Sequence, residues 1–496
     1  MSRMGLKSLS VRVGIYSHIT LLYLSQNQLT VFPGVLCKKL VNLTLLDLSN
    51  NLLINVPSEI GSLLQLKVLE LYNNRITELP LEMGKLFNLQ TLNVDHNPIS
   101  KPAPVVIHQG TEKIIAFLRD RLEPPPLPPE RTWLSYTDHE AYKGNHSTRP
   151  KFRVMAYNIL ADAYATSDRY AYCPTWALAW SYRKAKILKE LADSNADVIS
   201  LQEIETGEYH DFFLDAMLKL GFNGIFKPRS RAYTAGVNTH KVDGCAIFYR
   251  ASKLNLVQDT VIEFQRLALA RHSKIVSDDD RSGHERLLTR DNIALVAVFE
   301  LVDETKSTPS SSRQSKPSSP PQRIIVCNTH VHWNPELCDV KLMQTQMMME
   351  ELVTLRTKLK TESPSSKPAP MIVCGDFNSE PSSGVYELLS RGQVPPDHPE
   401  LGHFKYGQYT TQGLKHNIPL VSVYNHAGQG EPPFTNYTAT YVGVLDYIYF
   451  SKDTLRPCGV LQHVTEQTIS SQGYALPSPH FPSDHLSLVA EFEIIN

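Results

Sequence analysis

The sequence lacks both a long hydrophobic run and the cysteine pairs that bind zinc. No segment offers about eighteen apolar residues in succession, the length that a membrane-spanning helix needs, and the N-terminus has a leucine pattern without the shape of a signal peptide. The seven cysteines are scattered and form no C-x-x-C pair, so we expect neither a zinc finger nor a dithiol redox centre. An odd number of dispersed cysteines favours a reducing compartment.

Excess charge of one sign is also missing. With 49 Lys and Arg against 50 Asp and Glu, the net charge is −1, and such a chain has no global positive field to attract nucleic acid. An anionic substrate would therefore have to be bound locally or through cations. The length of 496 residues and the hydrophobic content of 42% predict a globular protein with more than one domain.

A repeat fills the first hundred residues. The pattern LxLxxNxLxxhP, where h is hydrophobic, recurs as LYLSQNQLTVFP, LDLSNNLLINVP, LELYNNRITELP and LNVDHNPIS. Its asparagines are spaced by 24, 23 and 23 residues, at Asn27, Asn51, Asn74 and Asn97. This is the period of leucine-rich repeats, in which each Asn bonds the backbone of its turn. We predict a leucine-rich-repeat domain over 1–122, closed by a helix at 111–122, that offers a partner-binding surface; a passive structural cap is the alternative.

The pattern changes after the repeats. EPPPLPPE at 123–130 predicts a stiff polyproline spacer, so we place a Pro-rich linker over 123–150. From 151 to 496, short apolar strands alternate with amphipathic helices, which is typical of an α/β or α+β domain. Two tracts rich in Ser and Pro, 303–323 and 361–370, are predicted to be disordered surface loops.

Polar residues stand where the predicted strands of this domain end. They are Asn158, Glu203, His330, Asp376, Asn378, Asp446, Asp484 and His485. Each alone has a structural explanation, because Asp and Asn cap turns and a single His is often a satisfied structural group. Together they offer oxygen ligands for magnesium and imidazole or amide donors for a phosphate. The residues alone do not separate metal ligand from general base.

The stretches that hold these residues resemble the endonuclease/exonuclease/phosphatase superfamily. The matching pieces are YNIL, LQEIE, THVHW, CGDFNS, LDYIY and PSDH. Four further stretches, YCPTWALAWSYRKAKIL, VDGCAIFY, HVHWNPELCDVKLMQ and PFTNYT, resemble the carbon-catabolite-repressor group of deadenylases. The repeats in front are similar to those of the poly(A) deadenylases that serve as catalytic subunits of the CCR-NOT complex.

This resemblance implies a fold, an activity and partners. The fold would be a four-layer α/β/β/α sandwich of two mixed sheets that follows the repeat array. The activity would be that of a magnesium-dependent 3′-to-5′ exoribonuclease that shortens mRNA poly(A) tails and releases 5′-AMP, with two Mg²⁺ ions that Mn²⁺ can replace. The partners would be poly(A) RNA and a second deadenylase subunit bound by the repeats, with no membrane. We expect the protein in the cytoplasm, with the nucleus as a second compartment.

The resemblance also implies residue roles. Glu203 would hold one magnesium ion, and the two-metal site would be completed by Asn158, Asp376, Asn378 and His485. Asp376 would orient or deprotonate the attacking water, and His330 would donate to the phosphate. Asp446 would fix the orientation of His485, and Asp484 would belong to the catalytic set or act as a further ligand. Asn158 and Asn378 would also contact the substrate.

Substrate recognition needs walls for a base. Single-stranded RNA readers stack bases on aromatic or flat side chains, and the family's pair of walls maps onto Pro335 and Tyr441, where the family more often has phenylalanine at the second position. The alternative is that both residues pack a loop. Two basic runs, KPRSR at 227–231 and RKAK at 183–186, either contact phosphates or are solvated faces.

Two other functions remain open from the sequence. The catalytic half could be inactive, leaving a scaffold that recruits partners through its repeats. The same fold could also act on another substrate, as DNA-repair nucleases and inositol-phosphate phosphatases of this superfamily do. A sugar polyphosphate would need a cluster of Lys and Arg at the mouth of the site, whereas walls at Pro335 and Tyr441 favour a base.

Overall fold

The computed structural model describes most of the chain, over residues 1–136, 149–233, 236–272, 278–302, 322–362, 367–426 and 430–495. Two compact units can be distinguished. The first, which we call the repeat domain, comprises Met1–Leu127, Thr166–Tyr182 and Ser470–His480. The second, the sandwich domain, comprises Pro128–Ala165, Arg183–Ile469 and Phe481–Asn496.

The strands and helices of the described residues are as follows. The strands are β1 Leu21–Tyr23, β2 Leu45–Asp47, β3 Val68–Glu70, β4 Thr91–Asn93, β5 Trp133–Ser135, β6 Lys151–Asn158, β7 Val198–Glu205, β8 Phe222–Pro228, β9 Asp243–Arg250, β10 Leu254–Glu263, β11 Ile293–Leu301, β12 Arg323–His330, β13 Met371–Asp376, β14 Gln393–Val394, β15 Leu414–Lys415, β16 Leu420–Ser422, β17 Asn436–Tyr437, β18 Val442–Gly443, β19 Asp446–Ser451, β20 Leu455–Leu461 and β21 Leu488–Ile494. The α-helices are α1 Gly34–Lys39, α2 Pro104–Ile107, α3 Thr111–Arg119, α4 Thr175–Leu178, α5 Trp180–Asp193, α6 Thr206–Glu208, α7 Leu214–Lys219, α8 Phe264–His272, α9 Asp278–Leu288, α10 Cys338–Glu362, α11 Gly384–Arg391, α12 Tyr409–Gln412 and α13 Glu466–Gln472. None of the helices in these ranges combines the length and apolar character needed to cross a bilayer.

The repeat domain is built on one short strand per repeat. β1, β2, β3 and β4 form a parallel sheet in that order, with Leu22, Leu46, Leu69 and Leu92 in register across it. The residue before each repeat asparagine has a positive φ, between 52° and 58°, at Gln26, Asn50, Asn73 and His96. This left-handed turn ends each strand and brings the following Asn side chain back onto the backbone.

Each repeat asparagine joins two neighbouring repeats. The Asn51 Oδ1 accepts from the backbone N–H of Leu29 at 3.1 Å, and its Nδ2 donates to the carbonyls of Leu24 and Leu48, both at 3.0 Å. Asn74 makes the same contacts one repeat later. Buried backbone groups must be paired, so these amides satisfy the turns while the leucines fill a continuous core.

Two segments from later in the chain belong to the repeat domain. Asp120, which follows α3, accepts hydrogen bonds from the Thr175 backbone N–H at 2.8 Å and from its hydroxyl at 2.5 Å. The Phe87 ring packs against Tyr474 and Tyr172, with centroid distances of 4.5 and 5.8 Å. The compact unit is therefore larger than the range 1–122 that the repeat pattern delimits.

Parts of the predicted linker and of the two predicted loops belong to strands and helices. Of the linker at 123–150, β5 pairs with β20 at the edge of a sheet, because Trp133 and Leu134 supply a short apolar strand, and residues 137–148 lie outside the described residues. Residues 303–321 and 363–366 of the two predicted loops also lie outside them. Arg323 already belongs to β12, and 361–362 belong to α10.

The sandwich domain contains two mixed sheets. The larger has the order β5-β20-β21-β6-β7-β9-β8 and the smaller β10-β11-β12-β13-β19-β16; within them, β6 is parallel to β7 and β12 is parallel to β13. Alternate residues such as Val154 and Ala490 from the first sheet and Leu295 from the second share one buried cluster, so the sheets pack face to face. Met343 and Met347 of α10 pack on the outer face of the smaller sheet. The predicted sandwich of two mixed sheets with helices is confirmed.

Candidate active site

Three functional side chains come from adjacent strands of the smaller sheet. His330 and Asp376 are the last residues of the parallel strands β12 and β13, and Asp446 is the first residue of the antiparallel strand β19. The register pairs His330 with Asp376 and Asp376 with Asp446. The topology thus places the three side by side at one sheet edge, and all three are buried.

The larger sheet contributes Asn158 and Glu203. Asn158 ends β6, and its Nδ2 donates to Glu203 Oε1 at 3.2 Å and to Asp376 Oδ2 at 3.0 Å. Glu203 lies in β7 at a bulge between Gln202 and Ile204, with a φ of 59°. A left-handed glutamate costs about 1–2 kcal/mol, and such strain is typical of functional positions. The bulge turns the carboxylate toward Ala161, whose N–H donates to Oε2 at 3.0 Å.

Two carboxyl groups of the site have pKa values above their usual range, so the structure disfavours their ionised forms. Burial, followed by the nearby Asp446, raises the pKa of Asp376 to about 7. Burial, followed by Asp243 and Asp484, also raises the pKa of Glu203. Acids that are crowded and desolvated in this way gain most from a bound cation.

The donor set fits a divalent cation. Ligand atoms of Asp376, Asp446 and His485 lie within 4.8 Å of one another. Asp446 Oδ1 is buried and finds no hydrogen-bond partner among the described residues, as expected for an oxygen that binds something the protein does not supply. Oxygen-rich sets of this kind suit hard divalent ions.

His485 is oriented by Asp446. Its Nδ1 lies 2.8 Å from Asp446 Oδ2, which also accepts from the Thr435 hydroxyl at 2.6 Å. Its Nε2 lies 3.7 Å from Asp376 Oδ2. Burial works to lower the pKa of His485, but the carboxylates of Asp446, Asp484 and Asp376 outweigh it and raise that pKa well above its usual value. Without a bound metal, the imidazole is therefore protonated at neutral pH.

His330 is in the opposite state. Its Nδ1 lies 2.9 Å from the guanidinium of Arg229, which has only donors, so Nδ1 accepts and the proton of the neutral ring is on Nε2. Nε2 lies 3.5 Å from Asp376 Oδ2. Burial, followed by the charge of Arg229, lowers the pKa of His330 well below its usual value. His330 thus offers a neutral N–H donor to the site.

The arginines of the two basic runs are engaged by protein groups. Arg229 donates to Asp243 Oδ2 at 2.7 Å, and Arg231 donates to Asp243 Oδ1 at 2.5 Å and to Asp291 at 2.7 Å. Asp243 is almost fully buried; burial raises its pKa, but the two arginines outweigh this and bring the pKa down to about 2. Arg183 is fully buried and donates to three backbone carbonyls, including that of Leu160 at 2.8 Å. Arg183 and Arg229 are therefore not part of a solvated face, and a phosphate contact by the other basic residues of the two runs stays a prediction.

Two more of the predicted residues border the cluster. Asn378 has a φ of 48°; its N–H donates to Asp376 Oδ1 at 2.9 Å, and its Nδ2 donates to the carbonyl of Val331 at 3.0 Å. Asp484 is buried beside His485, and its charge is one of those that raise the pKa of Glu203. The chain therefore brings together eight predicted residues from both sheets.

The predicted base walls lie on surface segments. Pro335 is exposed in the connection between β12 and α10, and its carbonyl accepts from the Cys338 thiol at 2.9 Å. Tyr441 is partly buried just before β18, and its hydroxyl lies 3.1 Å from Glu380. Neither makes a hydrogen bond to the cluster within the described residues, so their stacking role stays a prediction.

Sequence reasoning missed several supporting residues. Asp243 begins β9 and carried the same signal as the others, a polar residue at a strand end in VDGCAIFY. Thr435 and Ser483 had no such signal, since a small hydroxyl residue is common in loops. Ser483 donates to the carbonyl of Asn158 at 2.7 Å and accepts from the N–H of His485 at 3.2 Å. It thereby ties the last strand to the end of β6.

Comparisons with known proteins agree with this geometry. Residues 155–335 and 355–485 match the model of the Endonuclease/Exonuclease/phosphatase family. The chain is 40% identical over 407 residues to the CCR4-Not complex 3′-5′-exoribonuclease subunit Ccr4 of Mycosarcoma maydis, covering 78% of this chain and 58% of that protein. It is 37% identical over 529 residues to the subunit of the same name of Schizosaccharomyces pombe, covering 99% of this chain and 73% of that protein. This chain thus spans less than two thirds of the length of the first of these relatives.

A vertebrate relative and a solved structure extend the similarity. The CCR4-NOT transcription complex subunit 6-like protein of Danio rerio is 36% identical over 406 residues, covering 77% of this chain and 69% of that protein. The crystal structure of ANGEL2, a 2′,3′-cyclic phosphatase, in complex with adenosine-2′,3′-vanadate has a TM-score of 0.55 at 27% identity and covers 74% of this chain and 99% of that one. The chain belongs to the endonuclease/exonuclease/phosphatase family and, within it, to the group of Ccr4-type proteins.

Proposed function

We propose that the protein is a magnesium-dependent 3′-to-5′ exoribonuclease that shortens mRNA poly(A) tails and releases 5′-AMP as part of the CCR-NOT complex. One observation carries the proposal: Asn158 joins Glu203 of one sheet to Asp376 of the other by hydrogen bonds of 3.2 and 3.0 Å, within a chain of the Ccr4 group. A pair of carboxylates brought together from two sheets is the arrangement that a metal-dependent phosphodiesterase needs.

Metal binding follows from the same groups. Glu203, Asp376, Asn158, Asn378 and His485 would hold Mg²⁺, two ions in all, and Mn²⁺ would substitute. Bound Mg²⁺ would neutralise charge on the phosphate oxygens and lower the pKa of a bound water. Asp446 is an additional candidate ligand, because its buried Oδ1 is free of hydrogen bonds to the described residues.

The remaining steps belong to protein side chains. Asp376, whose pKa of about 7 suits a general base near neutral pH, would orient or deprotonate the attacking water. His330 would donate its Nε2–H to a phosphate oxygen, as a neutral donor fixed by Arg229. His485, oriented by Asp446 at 2.8 Å, would stabilise charge on the phosphate when it is not a metal ligand, and Asp484 would sustain its protonation.

Adenine selection and complex formation complete the proposal. Pro335 and Tyr441 would form the two walls around the base, and stacking on an aromatic ring such as that of Tyr441 contributes about 1–3 kcal/mol per base. The repeat domain would bind the second deadenylase subunit through its regular surface. We place this activity in the cytoplasm, with the nucleus as a second compartment.

The test is hydrolysis of a 5′-labelled RNA with an A-tail in Mg²⁺. The parent should give a ladder of shortened tails, and E203A should lose it, whereas E351A, which removes an exposed acid on α10, should behave like the parent. Matched RNAs with a U-tail, and with a 2′,3′-cyclic phosphate end, compete for the same protein. Preference for the cyclic end would favour the activity named for ANGEL2, and an unchanged ladder with E203A would contradict the proposal.

A further inference from the structure

Lys341 is a buried lysine that forms no ion pair with a carboxylate of the described residues. It lies in the first turns of α10, and only 6% of its surface is exposed. Its Nζ donates one hydrogen bond, of 2.7 Å, to the backbone oxygen of Asn378. Within the part of the chain that the structure describes, no Asp or Glu side chain forms an ion pair with it.

Lys341 has more donors than the protein uses at hydrogen-bond distance. An ammonium group has three N–H donors, and Lys341 gives one of them to a neutral carbonyl. The carboxylates of Glu400, Asp376 and Glu380 act on Lys341 electrostatically, but none of them is in ion-pair contact with it within the described residues, whereas Arg229 and Arg231 both contact Asp243 directly. An anionic group of a ligand would suit the remaining donors, because charge-assisted hydrogen bonds are the strong kind.

The position of Lys341 indicates what that ligand is. The Asn378 carbonyl that it contacts belongs to the turn that follows Asp376, and the Asn378 N–H donates to Asp376 Oδ1 at 2.9 Å. The Asn378 side chain reaches Val331, the neighbour of His330, at 3.0 Å. Lys341 is thus fixed to the turn that follows β13, and this turn is hydrogen-bonded to the residue that follows β12.

We propose that Lys341 binds a phosphate of the RNA substrate beside the Asn378 turn. The inference rests on the proposed function and adds a substrate-binding residue to it. The phosphodiester supplies an anion at hydrogen-bond distance for the donors that Lys341 does not use on Asn378, and charge-assisted hydrogen bonds to phosphate are the strong kind. A strand held in this way would be fixed in register with the carboxylates by its backbone, without regard to its bases.

The first test separates charge from architecture. K341Q keeps an N–H donor for the Asn378 carbonyl but removes the charge, and K358Q makes the same change on the same helix at a side chain that is 62% exposed. Binding of a labelled A-oligomer is followed by fluorescence anisotropy in EDTA over a series of salt concentrations. We expect K341Q to bind about tenfold more weakly, with a salt slope lower by about 0.7, the value for one phosphate of a single strand. K358Q should keep the parent slope; a K341Q slope equal to that of the parent would overturn the proposal.

The second test needs no variant and so does not depend on folding. Lysines of the parent are acetylated with and without the A-oligomer, or with adenosine, which has no phosphate, and the labelled positions are read by mass spectrometry. Lys341 should be protected by the oligomer and not by adenosine, and Lys358 by neither. Equal labelling of Lys341 in all three samples, or no labelling in the free protein, would contradict the contact.

These results stand apart from the fate of the proposed function. Binding in EDTA is measured without hydrolysis, so a parent that fails to shorten A-tailed RNA in Mg²⁺ refutes the nuclease activity while the phosphate contact remains measurable. A parent that shortens the tail but shows no role for the Lys341 charge refutes the phosphate contact only.

Discussion

Asn51 of the repeat domain and Asn158 of the sandwich domain are both buried, but their amides have different partners. Asn51 bonds to backbone groups of its own and the preceding repeat. The Asn158 amide N–H groups instead reach two carboxylates, Glu203 and Asp376. The Asn51 amide has a structural role, because it pairs buried backbone groups. The Asn158 amide instead lies between two carboxylates, an arrangement typical of a ligand-binding site.

The same contrast separates two buried aspartates. Asp243 is satisfied by two arginines and a tyrosine hydroxyl, and its pKa falls to about 2. Within the described residues no cation lies as close to Asp376, whose distance to His485 Nε2 is 3.7 Å, and its pKa rises to about 7. One carboxylate stabilises the fold and the other is held at the expense of stability. Single substitutions should therefore affect the two in opposite directions.

The largest effect is expected from D376N, which should lower kcat by about 10³-fold or more because it removes a candidate metal ligand and the candidate base.

The same substitution, D376N, should stabilise the metal-free protein. A folded pKa raised from 3.8 to about 7 is a stability loss that is full above pH 7 and absent below about pH 4, so the gain appears at pH 8 and vanishes in acid. The net gain in the free energy of unfolding of D376N at pH 8 should be about 2 kcal/mol, because the altered hydrogen bonds offset part of the electrostatic gain. Urea unfolding in EDTA at pH 8 and pH 4 measures it; lower stability of D376N at pH 8 would contradict the contrast.

The second largest effect should come from D243N, which leaves Arg229 and Arg231 without their common anion. Breaking a buried ion pair costs about 3–5 kcal/mol. The folded pKa of Asp243 is depressed to about 2, so its contribution is present above pH 4 and is lost as the pH falls through 2. The gap between parent and D243N in urea unfolding should therefore narrow at pH 3 relative to pH 7. A constant gap would mean that the ion pairs are not its origin.

A smaller effect is expected in the repeat domain. N51A removes three hydrogen bonds to backbone groups that stay buried, at a cost of about 2–3 kcal/mol to that domain. Hydrolysis of free A-tailed RNA should be unchanged, while N158A should lose hydrolysis. Thermal unfolding measures the stability of both variants, and the tail-shortening assay measures their hydrolysis. A loss of hydrolysis in N51A would contradict the different roles assigned to Asn51 and Asn158.

The smallest effect should be that of Y441F. The hydroxyl of Tyr441 donates to an exposed carboxylate, Glu380, at 3.1 Å, so its removal should change KM for A-tailed RNA by about twofold or less. Y441A, which removes the ring, should raise KM by about tenfold if the ring stacks on adenine. Equal KM values for Y441A and the parent would show that Tyr441 only packs its loop.

Sequence patterns predicted the polar residues at the strand ends well, because residues that end adjacent strands of a sheet lie close together even when they are far apart in the sequence. Asp376 and His330 are neighbours since β12 and β13 are parallel, and the pattern of apolar strand followed by polar residue was enough to find both. Arg229 could not be assigned in this way, because whether an arginine in KPRSR is solvated or buried depends on Asp243, which lies on another strand. The full extent of the repeat domain could not be predicted for a similar reason, since the segments at 166–182 and 470–480 join the repeats only in three dimensions.

The packing of Phe87 against Tyr172 and Tyr474 has a practical consequence for anyone who wishes to isolate the part of the chain that follows the repeats. A fragment that starts at the proline tract would retain both tyrosines but lose the phenylalanine that covers them, and exposed aromatic patches promote self-association. If such a fragment is insoluble, we expect polar replacements of Tyr172 and Tyr474 to improve its solubility more than a change of its starting residue.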